Sequence, residues 1–433
     1  MGESARATAE RLGEEGPSAG HRRTILAGLV GNILEWYDFA IYGYFAPIIA
    51  AQFFPSEDAA VSLIAAYGAF AAGFLARPFG AFLFGHIGDR WGRKPALMLS
   101  IAFMALPTTA IGLLPGYASL GAVASVLMVL LRLLQGLSVG GEYTGSAVFL
   151  VEQAPPDRRA AFGSWSIFGA IAGILIGSAS GAIVHTVLPE SVIAAWGWRL
   201  PFLLGLLVGF VGFLIRRGVS ETADKDARQK GAAPLVVTFR DEWRPLLQML
   251  GINVINAVGF YLLFLYTTTF LVRQVKLAPS TAFDINTLSM LVLVGMVPIA
   301  ARLSDRVGRK PLLLASTIGV LVLAYPLLAL MDHPHPIVIL LGQAGLAVVM
   351  GIYYGANPTV FVELFPRRVR CTAVALGHNI TLGALGGTTP MIATFLIDRT
   401  KDDLSIAWYL MAAAAVSLVA TLPLRETARA RLD

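Results

Sequence analysis

The sequence predicts an all-α integral membrane protein whose twelve transmembrane helices form two six-helix bundles. Three observations predict it. The 433 residues are 56% hydrophobic and only 14% charged, against roughly 25% charged in an average soluble domain. Apolar runs of about 20 residues, the length a helix needs to cross a hydrocarbon core, recur twelve times along the chain. A basic segment between two of these runs repeats half a chain later.

The runs lie near residues 24–52, 59–86, 95–114, 122–151, 160–187, 196–215, 246–272, 282–302, 311–330, 336–362, 372–397 and 404–424. They divide the chain into a tail (1–23), an N-terminal bundle (24–215), a polar linker containing ETADKDARQK (216–245), a C-terminal bundle (246–424) and a second tail (425–433). The first twenty residues hold no apolar core with a small-residue cleavage site, so a cleaved signal peptide is not expected.

Arg and Lys set the orientation. They gather at Arg22 and Arg23, at Arg90 to Lys94, at Arg158 and Arg159, from Arg216 to Arg244, at Arg302 to Lys310, at Arg367 to Arg370 and at Arg425 to Arg431, while the alternate loops carry few. By the positive-inside rule both termini are cytoplasmic. A multi-pass plasma-membrane protein is expected, in the inner membrane of a bacterium. The net charge of +6 is thus a topology signal, and no nucleic-acid partner is expected. The single cysteine, Cys371, excludes an internal disulfide, and no Cys/His cluster suggests a metal. No cofactor is expected.

The repeat is GHIGDRWGRKP, Gly85 to Pro95, against ARLSDRVGRKP, Ala301 to Pro311; a second echo pairs VEQAPPDRR, Val151 to Arg159, with VELFPRRVR, Val362 to Arg370. Each copy follows an even-numbered span, so the halves are parallel repeats. Such halves face each other across a central site and rock to expose it to one side at a time.

The GxxxDRxGRK pattern from Gly85 to Lys94 resembles that of the major facilitator superfamily. RLLQGLSVGGEYTGSAVFLVE (Arg132 to Glu152), WGWRLPF (Trp196 to Phe202), FLARPFGAFLFGHIGDRWGRK (Phe74 to Lys94) and GNILEWYDF (Gly31 to Phe39) resemble its metabolite:proton symporter branch, which contains proline/betaine, citrate, 2-oxoglutarate and shikimate permeases. The resemblance implies a gating loop at Gly85, Asp89, Arg90, Gly92 and Arg93, in which Asp89 helps hold the inward-closed arrangement. Asp305 and Arg309 stand at the corresponding places of the second copy.

Five charges fall inside spans: Glu35, Asp38, Arg77, Arg132 and Glu142. Each costs about 2.5–3.5 kcal/mol at mid-membrane on insertion scales, so such groups face a cavity and have partners. All five are in the first half; aligned through the repeat, their counterparts are Asn256, Gly259, Leu293, Gln343 and Tyr353. Charges needed only to pack six helices would appear in both halves, so their confinement to one favours function.

Asn32, Glu35, Asp38 and Tyr42 follow steps of three, three and four, and Arg132, Gln135, Glu142 and Ser146 likewise share a helix face. Both stripes are expected to line the cavity. By rise per residue, Asp38 and Arg132 lie roughly 22 and 28 Å from the cytoplasmic boundary, and Glu35, Arg77 and Glu142 form a shallower layer. A carboxylate alone in a low dielectric holds a proton, and a nearby guanidinium expels it. Proton-coupled sugar porters of the same superfamily pair an Asp on helix 1 with an Arg on helix 4, and Asp38 with Arg132 resembles that arrangement. Asp38 is then the expected proton carrier; a permanent structural pair is the alternative. Glu142 is either a second proton site or the counter-ion of Arg77.

The second half offers neutral groups: Asn253 and Asn256, then Gln343, Tyr353, Tyr354 and Asn357, then His378 and Asn379. With Arg77, Arg132, Tyr42 and Gln135 they are the expected substrate contacts, orienting a small polar metabolite whose carboxylate the charged half anchors. Gly169, Gly173, Gly177 and Gly181, at four-residue spacing, read as a close-packing ridge. The superfamily's antiporter signature places a Pro beside such glycines, and none occurs from Ala160 to Leu188. The reading is proton-coupled symport of a carboxylate-bearing metabolite by a monomer, with an uncoupled facilitator or a proton antiporter as alternatives. No GxSxG, HExxH or phosphate-binding loop occurs among the spans, so neither an enzyme nor ATP use is expected.

Overall fold

A computed structural model describes residues 19–91, 93–138, 142–217, 234–430 and 432. Gly92 and the side chains of Gly85, Asp89, Arg90, Arg93 and Glu142 lie outside the described residues, and so do the expectations placed on them. All regular structure among the described residues is helical.

The spanning elements are α1 (Ala19–Tyr44, continued by Ala46–Phe53), α2 (Ala59–Trp91), α3 (Arg93–Leu113), α4 (Ala122–Ser138 and Glu142–Glu152), α5 (Arg159–Val187) and α6 (Leu200–Arg217). A short helix, Pro234–Asp241, precedes α7 (Trp243–Phe260, Tyr261–Tyr266 and Thr267–Arg273), α8 (Pro279–Val307), α9 (Arg309–Met331), α10 (Pro336–Glu363), α11 (Arg370–Thr381, Leu382–Gly386 and Thr389–Thr400) and α12 (Ser405–Thr421). Eight of these are long and apolar enough to cross a membrane by length and composition. Large apolar side chains such as Phe79, Val187 and Val419 are about 70% exposed around the outside, a surface that only a lipid solvent stabilises.

Helix pairing repeats with a shift of six. In one half α1 packs on α5, α2 on α4 and α3 on α6; in the other α7 packs on α11, α8 on α10 and α9 on α12. The halves meet through α5 against α8 and α2 against α11, pairs that exchange under the same shift. This is the geometry of two related bundles facing each other. The glycine ridge supports it: a Cβ on Gly173 would strike the Ile33 carbonyl, while Gly169 and Gly177 lie against Leu29 and Ala40 of α1 and Gly181 against Phe283 of α8. The ridge therefore serves one contact within a half and one between halves.

Two interruptions position the interior. Tyr261–Tyr266 of α7 and Leu382–Gly386 of α11 are π-helical turns, which occur often at functional sites because they re-aim side chains and loosen carbonyls from the helix ladder. The Leu263 and Phe264 carbonyls accept side-chain hydrogen bonds from other helices. At the junction of α8 and α9, Gly308 takes φ +113°, a conformation other residues rarely adopt.

Both ends of the interface between the halves are closed. At the terminus end, where α1 begins and α12 finishes, the Asp305 carboxylate of α8 accepts the Ala160 and Ala161 N–H groups of α5 at 2.8 and 2.9 Å. Arg370 pairs with Glu152 at 2.6 Å and Arg159 with Glu363 at 3.4 Å. At the opposite end, the Tyr44 hydroxyl donates to the Phe264 carbonyl (2.7 Å), Asn286 donates to Tyr44 (3.1 Å) and Ser178 (2.9 Å), and Tyr67 bonds Thr269 (2.9 Å). The conformation is occluded.

Candidate functional site

The four residues of the α1 stripe do not face one cavity. Steps of three, three and four drift around the helix by about 100° per residue, and the side chains diverge accordingly. Asn32 donates to Ser146 (3.0 Å) and to the Ser166 carbonyl (3.3 Å), toward α4 and α5. The Tyr42 hydroxyl donates to the Ala66 carbonyl of α2 (3.1 Å). Asp38 turns into the N-terminal bundle, where Thr108 of α3 donates to its Oδ2 at 2.9 Å and Gly205 of α6 leaves room beside its Oδ1. The expectation that both stripes line the cavity is corrected at Asp38 and Tyr42.

The direct Asp38–Arg132 ion pair is corrected too. A relay of three hydrogen bonds separates the two: Arg132 Nη1 donates to Gln135 Oε1 (2.7 Å), Gln135 Nε2 donates to Thr108 Oγ1 (2.6 Å), and Thr108 donates to Asp38. The charges still act on one another through space. The reason is the bed in which Arg132 lies. Its guanidinium carbon sits 4.3 Å from the Tyr42 ring centroid, 4.6 Å from Phe39 and 5.1 Å from Phe70, and the missing side chain of Gly73 gives Nη2 its space. A cation over ring faces is held by their quadrupoles, so Arg132 needs no contact with Asp38 to remain buried.

Arg77 rests on the same aromatic group, 3.9 Å from Phe74, 4.4 Å from Phe39 and 5.6 Å from Trp36. The Phe39 ring is thus shared by the two guanidinium groups. Glu35 acts electrostatically on Arg77 and on Tyr261. Around Arg77 the halves meet: Trp36 lies 6.5 Å from Tyr261 and 6.2 Å from Tyr143, Tyr143 stacks on His378 at 4.6 Å, and Phe260 links Trp36 to Tyr354 at 6.1 and 6.0 Å.

This centre holds buried polar atoms with no hydrogen-bond partner. They include Trp36 Nε1, Arg77 Nε and Nη2, the Tyr261 and Tyr354 hydroxyls, and both ring nitrogens of His378. Leaving one such group unmade costs about 1–3 kcal/mol, and native folds keep few of them. The cluster is rich in donors, and its contributors come from α1, α2, α7, α10 and α11.

Several other expected contacts are engaged elsewhere through at least one polar atom. Tyr353 donates to the Ile252 carbonyl (2.7 Å), and Gln343 to the Leu263 carbonyl (2.8 Å) and Asn286 (2.7 Å). Asn379 donates to Ala375 of its own helix (2.9 Å), and Asn256 donates to Asn253 (2.8 Å), whose Nδ2 is without a partner, as is Asn357 Nδ2. Tyr353 and Gln343 thereby serve helix–helix packing. Arg309 is buried between Asp305 (2.9 Å) and Glu363 (3.3 Å) at the terminus end. Sequence reasoning missed Thr108, Asn286, Tyr44 and the Phe39–Phe74 bed; only the Pro107-Thr108-Thr109 interruption of an apolar span signalled the first.

Residues 24–224 match the family model for sugar (and other) transporters, and residues 249–431 match that for the Major Facilitator Superfamily. Over 423 residues, 94% of this chain and 84% of the relative, the sequence is 33% identical to the proline/betaine transporter of Salmonella typhimurium. The chain belongs to the major facilitator superfamily. It is also 34% identical over 400 residues, 92% of this chain and 90% of the relative, to the citrate-proton symporter of Klebsiella pneumoniae. The crystal structure of a D-xylose-proton symporter matches with a TM-score of 0.74 over 94% of this chain and 99% of that one, at 17% identity, which speaks for the fold alone. As a member of the superfamily's metabolite:proton symporter branch the protein is a multi-pass transporter, not an enzyme. Its donor-rich centre occupies the seam between the two halves, where transporters of this build bind their cargo.

Proposed function

We propose that the protein is a proton-coupled symporter of a small metabolite bearing a carboxylate, an organic acid or a zwitterion, with both termini cytoplasmic. One observation carries the reading: the seam presents a surplus of unpartnered buried donors, centred on Arg77 Nε and Nη2, Trp36 Nε1, Tyr261 and Tyr354. A group rich in acceptors satisfies them, and a carboxylate offers about four lone-pair sites to a guanidinium fork. Relatives named as proline/betaine and citrate-proton transporters support this substrate class, since those molecules share the carboxylate.

Asp38 carries the proton. Every donor in the relay from Arg132 points toward it, which favours the carboxylate; protonation makes Asp38 a donor, releases the Thr108 hydroxyl to its second acceptor, the Met104 carbonyl at 2.8 Å, and relaxes Gln135 and Arg132 in turn. Phe39, in contact with both guanidinium groups, passes a movement of Arg132 to Arg77 and so to the substrate.

In vesicles, Asp38→Asn abolishes uptake driven by a pH gradient while exchange of labelled for unlabelled substrate continues. Arg77→Gln weakens substrate binding at least about tenfold, as expected for a lost charge-assisted bond. Undiminished gradient-driven uptake by the Asp38 variant defeats the coupling assignment, and unchanged affinity in the Arg77 variant defeats the carboxylate site.

A further inference from the structure

Between α5 and α8, at the terminus end, lies a cleft of about 650 Å³ lined by residues outside the donor-rich centre. Its two walls belong to different halves of the molecule. The part nearer the membrane centre is apolar: Trp165 and Phe168 of α5, their rings 5.2 Å apart, face Val297 and Pro298 of α8. The part nearer the terminus end is basic, lined by Arg158, Arg302 and Arg306.

The charges do not cancel. Asp157 lies 3.8 Å from Arg158. Asp305, at the floor, is occupied by Arg309 and by the Ala160 and Ala161 N–H groups. Among the described residues Arg302 and Arg306 have neither an ion pair nor a hydrogen bond to their side chains, and both are exposed. At i and i+4 they stand one above the other on the same face of α8.

We propose that this cleft binds an anionic phospholipid, its headgroup phosphate on Arg302, Arg306 and Arg158 and its acyl chains against Trp165, Phe168, Val297 and Pro298. Along the membrane normal the lining is basic at the terminus end and apolar toward the membrane centre, aromatic on the α5 wall and aliphatic on the α8 wall, which is the order of an amphiphile in one leaflet. A free phosphate leaves the aromatic wall unused, and a neutral lipid leaves the two arginines uncompensated. The leaflet is the cytoplasmic one in the orientation proposed above; the binding itself does not depend on that reading. Because the lipid touches both halves beside the Asp305 contact, it binds the closed arrangement in preference to one in which α5 and α8 part, and stabilises it by mass action.

The test is retention of lipid by the purified full-length protein in detergent, read by native mass spectrometry after equilibration with equal amounts of phosphatidylglycerol and phosphatidylcholine. Wild type retains phosphatidylglycerol over phosphatidylcholine. Arg302→Gln with Arg306→Gln lowers the ratio at least about fivefold, the factor corresponding to ~1 kcal/mol for a basic residue at an anionic surface. Arg302→Lys with Arg306→Lys keeps the preference, which separates loss of charge from loss of fold. Equal retention of the two lipids by wild type overturns the proposal, as does an unchanged ratio in the glutamine variant. Displacement of the lipid by millimolar inorganic phosphate assigns the arginines to a free anion and overturns it as well.

Discussion

Thr108 has one proton and two acceptors within reach, Asp38 Oδ2 at 2.9 Å and the Met104 carbonyl at 2.8 Å. It can satisfy only one at a time. The choice between them depends on whether Asp38 is ionised, so the hydroxyl reports the proton on Asp38 to Gln135 and Arg132. Thr108 is thus a positioning residue for the proposed proton carrier. Thr108→Val preserves shape and removes the hydroxyl; gradient-driven uptake in vesicles should fall about tenfold, the effect of losing one hydrogen bond to a charged group, with exchange largely retained. Thr108→Ser should restore uptake, and failure of serine to restore it removes the hydroxyl from the account. The sequence made Asp38 and Arg132 legible because a charge in an apolar span is costly and therefore conspicuous. It hid Thr108, whose neutral side chain costs little in any helix, and it suggested direct pairing because depth along two helices says nothing about rotation around them. It likewise hid the aromatic bed that lets Arg132 stand apart from its acid.

At the scale of the element, α9 begins without a capping side chain of its own. Its predecessor, Gly308, has none to offer, and the start is capped from outside: Glu426 accepts the Arg309 N–H at 2.9 Å and the Lys310 N–H at 3.0 Å. Thr427 donates to Glu363 (2.5 Å), and Arg159 of the other half donates to the Ala430 carbonyl (2.8 Å). The segment after α12 therefore braces the terminus end. Partial burial opposes ionisation of Glu426, but the N–H groups of Arg309, Ala428, Lys310 and Thr427 outweigh it and hold the carboxyl below the ordinary glutamate value. A depressed folded-state value means the stabilisation is present above the unfolded glutamate range, roughly pH 4.3, and is lost as pH falls through the folded value. The thermal midpoint of Glu426→Gln should accordingly lie below that of wild type at neutral pH, the gap closing on acidification. A gap independent of pH between 3 and 7 contradicts the cap. Span positions and the repeat were readable from hydrophobicity and from the paired basic motifs. This brace was not, since the residues from Arg425 onward read only as a positive tail.

For the whole molecule, the closures at the two ends differ in kind, and that difference predicts which way the protein opens. The terminus end is tied by carboxylates: Asp305 bridges buried Arg309 and the start of α5, and Glu363 bridges Arg309 and Arg159. The opposite end is tied by neutral bonds through Tyr44, Asn286, Ser178, Tyr67 and Thr269. A neutral hydrogen bond contributes about 0.5–1.5 kcal/mol net, whereas taking one partner from a buried ion pair costs ~3–5 kcal/mol. Tyr44→Phe should therefore move the population toward opening at that opposite end, the loop end, by roughly two- to tenfold per bond lost. Asp305→Asn should act more strongly and in the other direction, because it weakens the hold on both Arg309 and the α5 amides; a few kcal/mol is enough to bring an open minority to a majority. Distances between spin labels check this, in a Cys371→Ser background that removes the native exposed thiol. Labels at Val61 and Lys401, on opposite halves at the loop end, should separate in Tyr44→Phe and stay together in Asp305→Asn. Labels at Arg158 and Arg302, across α5 and α8, should show the reverse. If both variants lengthen the same pair, the two closures are not opposed, and the occluded form is then a single rigid body and not the midpoint of a rocking motion.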